Sequence, residues 1–234
     1  MSRVFACSDL HGQWDLWQQI KEFLHPDDVL YFLGDAIDRG EKGYEIMKEL
    51  MSDSRVIYLK GNHEQMMEDA LQEYQENGGQ WYGEEYDLWA WNGCYPTIEE
   101  WEADGRRCEW IHILKKLPRC KVYINKEERE VYLSHAGFTP GTRVITDYDL
   151  VWDRKHIYDE IDDSIPESGC VIVHGHTPIQ HLVQELGSAE YVEADGVVLY
   201  GNSTKIDIDC GSFATHKISL LDLDTFERVV FNER

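Results

Sequence analysis

The chain has few basic residues, and this shortage limits the partners that it can bind. It contains 22 Lys and Arg residues against 45 Asp and Glu residues, which gives a formal net charge of −23. Such a charge repels phosphate backbones and anionic lipid heads, so we expect neither nucleic acid nor a membrane as a broad partner. A phosphorylated substrate is still compatible, because bound metal charge can reverse the field inside a cleft.

The sequence also lacks Cys-x-x-Cys pairs and long apolar runs. Its six cysteines are scattered along 234 residues, without the close spacing typical of zinc or redox motifs. The first residues run directly into an apolar stretch and show no signal-peptide core. No run approaches the roughly 20 residues that span a bilayer. We therefore predict reduced thiols and a cytoplasmic location.

What the sequence does contain is three short polar motifs, each after an apolar run. The motifs lie at 8–12 (SDLHG), 34–40 (GDAIDRG) and 61–64 (GNHE), after runs at 4–7, 29–33 and 56–59. Short unbroken apolar runs are typical of strands covered on both faces in a largely parallel sheet, and helical patterns separate them. Because ligands of such sheets bind beyond the carboxyl ends of the strands, we expect the motifs to converge on one site.

The pattern changes between about residues 78 and 117, where five tryptophans are mixed with Glu, Asp and Gly and no strand pattern occurs. We predict a single domain over residues 1–234 with a helical, Trp-rich insertion at about 78–117. The insertion could cover one side of the site and position a leaving group, or it could form a satellite core beneath a long loop. From residue 120 onward the pattern predicts further strands, including hairpins near 121–134 and 218–231.

Candidate metal ligands recur at the ends of the apolar runs. They are Asp9, His11, Asp35, Asn62, His135 and His176. Oxygen and imidazole nitrogen donors together suit manganese, iron or zinc rather than a thiolate site. Six candidates exceed what one ion with open positions needs, so two ions that share a carboxylate, roughly 3.5–4 Å apart, fit better.

Each of these residues also has an ordinary structural explanation when it is considered alone. Asp9 can cap a helix, and Asn62 after Gly61 suits a left-handed turn. A single histidine in such a sequence can be a core residue, which is the role we assign to His174. The shared position of the six candidates, at strand ends with glycine alongside, favours a joint site.

The motif set resembles that of the metallophosphoesterases, most closely the short bacterial and bacteriophage branch of the PPP-type serine/threonine protein phosphatases. The matching residues are Asp9-Leu-His11-Gly, Gly-Asp35-Ala-Ile-Asp38-Arg39-Gly, Gly-Asn62-His63-Glu64, Ser-His135-Ala-Gly and Gly-His176-Thr-Pro, in the family's order. The resemblance implies an α/β (α+β) fold, a four-layer αββα sandwich of two mixed sheets flanked by helices. It assigns one ion to Asp9, His11 and Asp35, and the other to Asp35, Asn62, His135 and His176.

The same resemblance implies roles around the ions. His63 would protonate the leaving group, Asp38 would orient His63, and Arg39 would grip phosphate oxygens. The substrate-binding residues would be Arg39, Asn62, Arg154 and Lys60. Lys60 is a departure, because these phosphatases usually carry Arg immediately before Gly-Asn-His-Glu. Lysine keeps the charge and loses the bidentate fork.

These expectations together describe a metal-dependent phosphatase of phosphomonoesters, with phosphoserine or phosphothreonine protein as the substrate. Two divalent ions, Mn²⁺ or else Fe or Zn, would lower the pKa of a bound water toward about 7, and the resulting hydroxide would attack phosphorus directly. One alternative is a symmetrical dinucleoside tetraphosphate hydrolase, since those enzymes share the motif set and the tryptophans could stack adenine. The other is a catalytically silent metal-binding module.

Overall fold

Two mixed β-sheets face each other in the computed structural model, which describes residues 2–139, 144–159, 169–187, 189 and 191–234. The strands are β1 (Val4–Cys7), β2 (Val29–Phe32), β3 (Val56–Tyr58), β4 (Cys120–Ile124), β5 (Glu130–Ser134), β6 (Val171–His174), β7 (Tyr191–Ala194), β8 (Val197–Tyr200), β9 (Lys205–Asp207), β10 (Lys217–Asp222) and β11 (Arg228–Asn232). The helices are α1 (Trp14–Phe23), α2 (Gly43–Ser52), α3 (Asn62–Glu76), α4 (Glu84–Trp91), α5 (Tyr95–Ala103), α6 (Trp110–Leu114), α7 (Asp147–Trp152), α8 (Ile179–Leu186) and α9 (Ser212–Thr215).

The first sheet has the strand order β11-β10-β1-β2-β3. The three apolar runs that precede the sequence motifs form its parallel strands β1, β2 and β3, with Val4 opposite Val29 and Leu30 opposite Val56. Strands β10 and β11 form the predicted terminal hairpin. Because β1, β2 and β3 run in the same direction, the motifs that follow them all lie at one edge of the sheet.

The second sheet has the order β4-β5-β6-β9-β8-β7. Strands β4 and β5 form the predicted antiparallel hairpin, and β5, β6 and β9 are parallel. The segments after β5 and β6 carry His135 and His176. Both sheets therefore deliver polar residues from the carboxyl ends of parallel strands, as expected for a ligand site in a sheet of this kind.

The alternation of side chains across each strand separates the core into layers. Phe5 and Phe32 face helices α1–α6 on the outside of the first sheet. Ala6 and Leu33 face the other way, into a core shared with β5, β6 and β9. A smaller core that includes Leu182 packs α8 on the outer face of the second sheet. The order helix–sheet–sheet–helix confirms the predicted four-layer α/β fold.

Helices α4, α5 and α6 occupy the Trp-rich segment. Trp89, Trp101 and Trp110 are buried in the same core cluster as the residues of α1–α3. Trp81 packs against Trp101, with 5.5 Å between ring centroids, whereas Trp91 is 91% exposed. The buried tryptophans thus extend the main core and do not form a separate one. None of the helices in the described part of the chain combines the length and the apolar character of a membrane span.

Candidate functional site

The six candidate ligands converge where the parallel strands of the two sheets end, and all six are buried. The side chains of Asp9, Asp35 and His135 place ligand atoms within 4.8 Å of one another, and so do those of His11, Asp35 and His63. Asp35 Oδ2 lies 3.4 Å from His135 Nε2 and 3.7 Å from His11 Nε2. Asp35 therefore belongs to both groups, as a carboxylate shared by two ions would.

Backbone carbonyls fix the orientation of three of the histidines. The Nδ1–H of His11 donates to the carbonyl of Ile37 at 3.0 Å, and the Nδ1–H of His135 donates to that of Leu33 at 2.9 Å. The Nε2–H of His176 donates to the carbonyl of Trp152 at 3.1 Å. Since a carbonyl can only accept, the nitrogen beside it carries the hydrogen, and the second nitrogen of each ring lies next to Asp35 or Asn62. Histidines that bind metals are usually held in this way.

The atoms that face the interior of the cluster are mostly oxygen and nitrogen atoms that can accept a hydrogen bond or bind a metal ion. Asn62 Oδ1 lies 2.8 Å from His135 Nε2 and 2.9 Å from His176 Nδ1. Burial lowers the pKa of His135, but Asp35 and Asp9 outweigh it and raise the pKa to about 9. The negative charge of Asp35 and Asp9 thus favours protonation of His135, and a bound metal cation would balance the same negative charge. The donor set of oxygens and imidazole nitrogens fits divalent ions.

The backbone around the cluster is held in a costly conformation. Positive φ angles between 44° and 71° occur at Asp9, His11, Asp35, Asp38, Arg39 and His176. Each non-glycine residue in this region costs about 1–2 kcal/mol, and such strain concentrates at functional sites. Glycine is required at Gly61 and Gly175, because an added Cβ would collide with the carboxylates of Asp35 and Asp9.

A cavity of about 310 Å³ opens over the cluster. Among the predicted site residues, its lining contains Asp9, His11, Asp35, Arg39, Asn62, His63, Arg154 and His176. The guanidinium of Arg154 is held by Nε–H donation to Thr177 Oγ1 at 3.0 Å, and that of Arg39 lies 3.2 Å from His63 Nε2. Two arginines at one mouth give an anion such as phosphate charge-assisted hydrogen bonds.

His63 differs from the three histidines predicted to bind metal in the group that accepts its ring hydrogen bond. Its Nδ1–H donates to the buried carboxylate of Asp38 at 2.6 Å, whereas His11, His135 and His176 donate to backbone carbonyls. Burial lowers the pKa of His63, but the charge of Asp35 and the hydrogen bond to Asp38 outweigh it, so the pKa lies above its usual value. The hydrogen bond to Asp38 fixes the ring and leaves Nε2, beside Arg39, as the atom that can exchange a proton with a substrate.

Several residues of the site lie outside the sequence motifs. Asp209 lines the cavity; the signal for it was a carboxylate just beyond β9 with a glycine two residues later, the spacing that Asp38 and Gly40 also have. Asp38 also contacts Trp89 and Thr97, at separations of 51 and 59 residues. Such long-range contacts leave no local signal, so sequence reasoning missed them.

Lys60, which the motifs predict to bind substrate, is held by residues of α3. Its ammonium is fully buried and pairs with the carboxylate of Glu68 in α3, with a second hydrogen bond to Gln65 Oε1 at 3.3 Å. It is not among the residues that line the cavity. Its partners Gln65 and Glu68 lie five and eight residues ahead on α3, and they do not line the cavity either.

From this placement we expect that substitution of Lys60 lowers the stability of the protein and leaves phosphate binding unchanged. Lys60→Met is expected to lower the free energy of unfolding by about 3–5 kcal/mol, because it leaves the Glu68 charge buried and unpaired. The double variant Lys60→Met/Glu68→Gln should recover most of that loss. Urea denaturation measures both. A higher KM for a phosphate ester in a stable Lys60→Met protein would instead support the substrate role.

A two-sheet sandwich with this donor cluster at its strand ends is the architecture of the metallophosphoesterases, which hydrolyse phosphoric esters with two metal ions. The chain belongs to the calcineurin-like phosphoesterase family, whose sequence profile matches residues 2–208. This finding confirms the family resemblance and the enzyme class predicted from the motifs.

Curated relatives carry the name serine/threonine-protein phosphatase 2. The protein from Escherichia coli K12 is 23% identical over 208 residues, which cover 81% of this chain and 86% of the relative. The one from Salmonella typhimurium LT2 is 25% identical over 231 residues, or 94% and 92% of the two chains. Among solved structures, a proposed diadenosine tetraphosphatase superposes with a TM-score of 0.58 at 14% identity, covering 98% and 93%. At that identity the superposition shows the fold alone.

Proposed function

We propose that this protein removes phosphate from phosphoserine or phosphothreonine residues of proteins, using two Mn²⁺ ions in the cytoplasm. The names of the curated relatives support the substrate class, since the similarity to them extends over most of both chains. Iron or zinc would suit the same mixed donors.

The observation that carries the proposal is the pairing of His63 with Asp38 beside two arginines. His63, Arg39 and Arg154 line one cavity together with the candidate ligands. The alkoxide that leaves from a phosphoserine is strongly basic and needs a proton, which a positioned histidine can supply. A purely structural metal site would need no such group.

In the proposed site, Asp9, His11 and Asp35 hold one ion, and Asp35, Asn62, His135 and His176 hold the other. When bound, the two ions supply a hydroxide nucleophile at neutral pH and positive charge against the phosphoryl oxygens. Arg39 and Arg154 orient the phosphate and stabilise the charge that develops on its oxygens. His63 gives its Nε2 proton to the departing oxygen, and Asp38 keeps the ring in the required orientation.

A dinucleoside tetraphosphate hydrolase is the second candidate. The structural similarity to a proposed diadenosine tetraphosphatase favours it only at the level of the fold. Adenine stacking needs exposed aromatic rings, but Trp89, Trp101 and Trp110 are buried in the core. Trp91 alone among the five tryptophans of the insertion is strongly exposed, so the Trp-rich composition gives this candidate less support than the sequence suggested.

A side-by-side turnover measurement separates the candidates. The protein is loaded with Mn²⁺, Fe²⁺ or Zn²⁺ and given a phosphoserine peptide, diadenosine tetraphosphate and p-nitrophenyl phosphate at equal concentrations. We expect the highest kcat/KM for the peptide, in the presence of Mn²⁺. Faster hydrolysis of the dinucleotide would replace the proposal with the second candidate. Full metal loading without hydrolysis of any ester would favour a catalytically silent module.

A further inference from the structure

We propose that Trp89 and Thr97 of the insertion are positioning residues that fix the Asp38 carboxylate and, through it, the ring of His63. The inference rests on the proposed role of His63 as proton donor. It gives the Trp-rich insertion a function in the reaction that differs from both substrate stacking and core formation.

Every polar atom of the Asp38 side chain has a partner from outside its own motif. Thr97 Oγ1–H donates to Oδ1 at 2.7 Å, and Trp89 Nε1–H donates to Oδ2 at 2.8 Å. His63 Nδ1–H donates to the same Oδ2 at 2.6 Å. The backbone N–H of Asp38 donates back to Thr97 Oγ1 at 2.9 Å. With both oxygens held, the carboxylate cannot rotate away from the imidazole.

The insertion also holds the backbone that carries this carboxylate. Asp38 and Arg39 have φ angles of 71° and 65°, a backbone conformation that residues other than glycine rarely adopt. The N–H of Arg39 donates to the carbonyl of Gly93, between α4 and α5, at 2.9 Å. Contacts from residues 89, 93 and 97 therefore act on two consecutive strained residues. Outside contacts of this kind are what maintain such a conformation.

Neither Trp89 nor Thr97 is among the residues that line the cavity. Both side chains are almost completely buried, so they act on substrate only through Asp38 and His63. Their loss should impair protonation of the leaving group and leave phosphate binding and metal binding unchanged. That combination differs from the uniform loss expected of a residue that merely supports the fold.

The test compares two esters that differ in their need for a proton. Trp89→Phe removes the indole N–H and keeps the ring, and Thr97→Val removes the hydroxyl at nearly constant volume. For phenyl phosphate, whose leaving group is the more basic, each variant should lose about 10–100-fold in kcat. For p-nitrophenyl phosphate the loss should be much smaller, with KM and Mn²⁺ binding by calorimetry unchanged for both variants.

Two further variants serve as controls. Trp101→Phe removes an indole N–H in the same insertion, but that group donates to the carbonyl of Arg107 at 3.1 Å and does not contact Asp38. It should hydrolyse both esters as the wild type does. Thr97→Ser keeps the hydroxyl and should restore the phenyl phosphate rate. Equal losses for both esters, or the same ester dependence in Trp101→Phe, would overturn the inference.

A spectroscopic measurement keeps this inference separate from the proposed function. In the ¹⁵N-labelled protein loaded with diamagnetic Zn²⁺, the ring Nδ1–H of His63 should give a protected, strongly deshielded proton signal. That signal should weaken or disappear in Trp89→Phe and Thr97→Val, and remain in Trp101→Phe. An unchanged signal in all variants would overturn the positioning role even if the protein is a phosphatase. A wild type that hydrolyses neither ester, together with a signal that is lost only in Trp89→Phe and Thr97→Val, would overturn only the phosphatase function.

Discussion

Replacing His63 with Asn is expected to lower turnover of a phosphoserine peptide by roughly 10²–10⁴-fold, the range associated with loss of a general acid. Asn cannot carry the proton that the departing alkoxide needs. The metal ions should remain, because His63 is not in the proposed ligand set and its Nδ1 is engaged by the carboxylate of Asp38. Hydrolysis of p-nitrophenyl phosphate should decrease least, since its leaving group is stable without a proton.

The measurement combines metal analysis with turnover of both substrates. His112→Asn is the matched control, because His112 lies exposed on α6 of the insertion; it should retain metal and activity. If His63→Asn lost the same factor for every leaving group, His63 would not be the proton donor. Loss of one ion together with activity would instead make His63 a ligand, an outcome that its proximity to His11 and Asp35 makes worth measuring.

Asp35→Asn is expected to have the second large effect, on metal binding. The amide oxygen can still accept the backbone N–H of His63, which lies 3.0 Å from Asp35 Oδ1, so local structure should persist. The charge is lost from the only residue present in both candidate groups identified among the described residues. The loss of metal affinity should therefore exceed the roughly 10–100-fold typical of removing an outer hydrogen-bond partner of a ligand.

Calorimetric titration with Mn²⁺ and the rise in melting temperature on adding Mn²⁺ both report this effect, because a ligand that binds only the native state stabilises it. The wild type should bind two ions, and Asp35→Asn one or none. Asp209→Asn is the matched control, since Asp209 lines the same cavity but belongs to neither candidate group, and its Oδ1 accepts the N–H of Gly211 at 2.8 Å. Equal loss in the two variants would remove the bridging role from Asp35.

Much of the fold followed from local patterns. The apolar runs before Asp9, Asp35 and Asn62 predicted β1, β2 and β3, because short unbroken apolar runs are typical of strands covered on both faces in a largely parallel sheet. Glycine beside each polar residue then marked the strand ends as places of close approach. In the structure Gly61 lies against the Asp35 carboxylate, and Gly175 lies against that of Asp9.

The direction of individual side chains was less predictable. Lys60 has the charge that a phosphate-binding residue needs and is adjacent to a motif, yet its ammonium lies beside Glu68 on α3. A buried ammonium needs a paired charge, and α3 provides one in Glu68, which does not line the cavity. A motif position establishes which residue type is present, and packing determines where its charged end lies.

The sequence by itself determined the layered fold, the family and the set of carboxylate, amide and imidazole groups at the strand ends. The strands and the polar groups that follow them are properties of short segments, since the length of an apolar run and the residue after it are sufficient to predict them. The layered fold and the family followed from the resemblance of the whole motif set to the metallophosphoesterases. Only the tertiary structure decided which nitrogen of each histidine faces the cluster, that Lys60 points into α3, and that Trp89 and Thr97 hold Asp38. Those features depend on contacts between residues that are distant in the chain or on packing against a neighbouring helix, and no local pattern encodes such contacts.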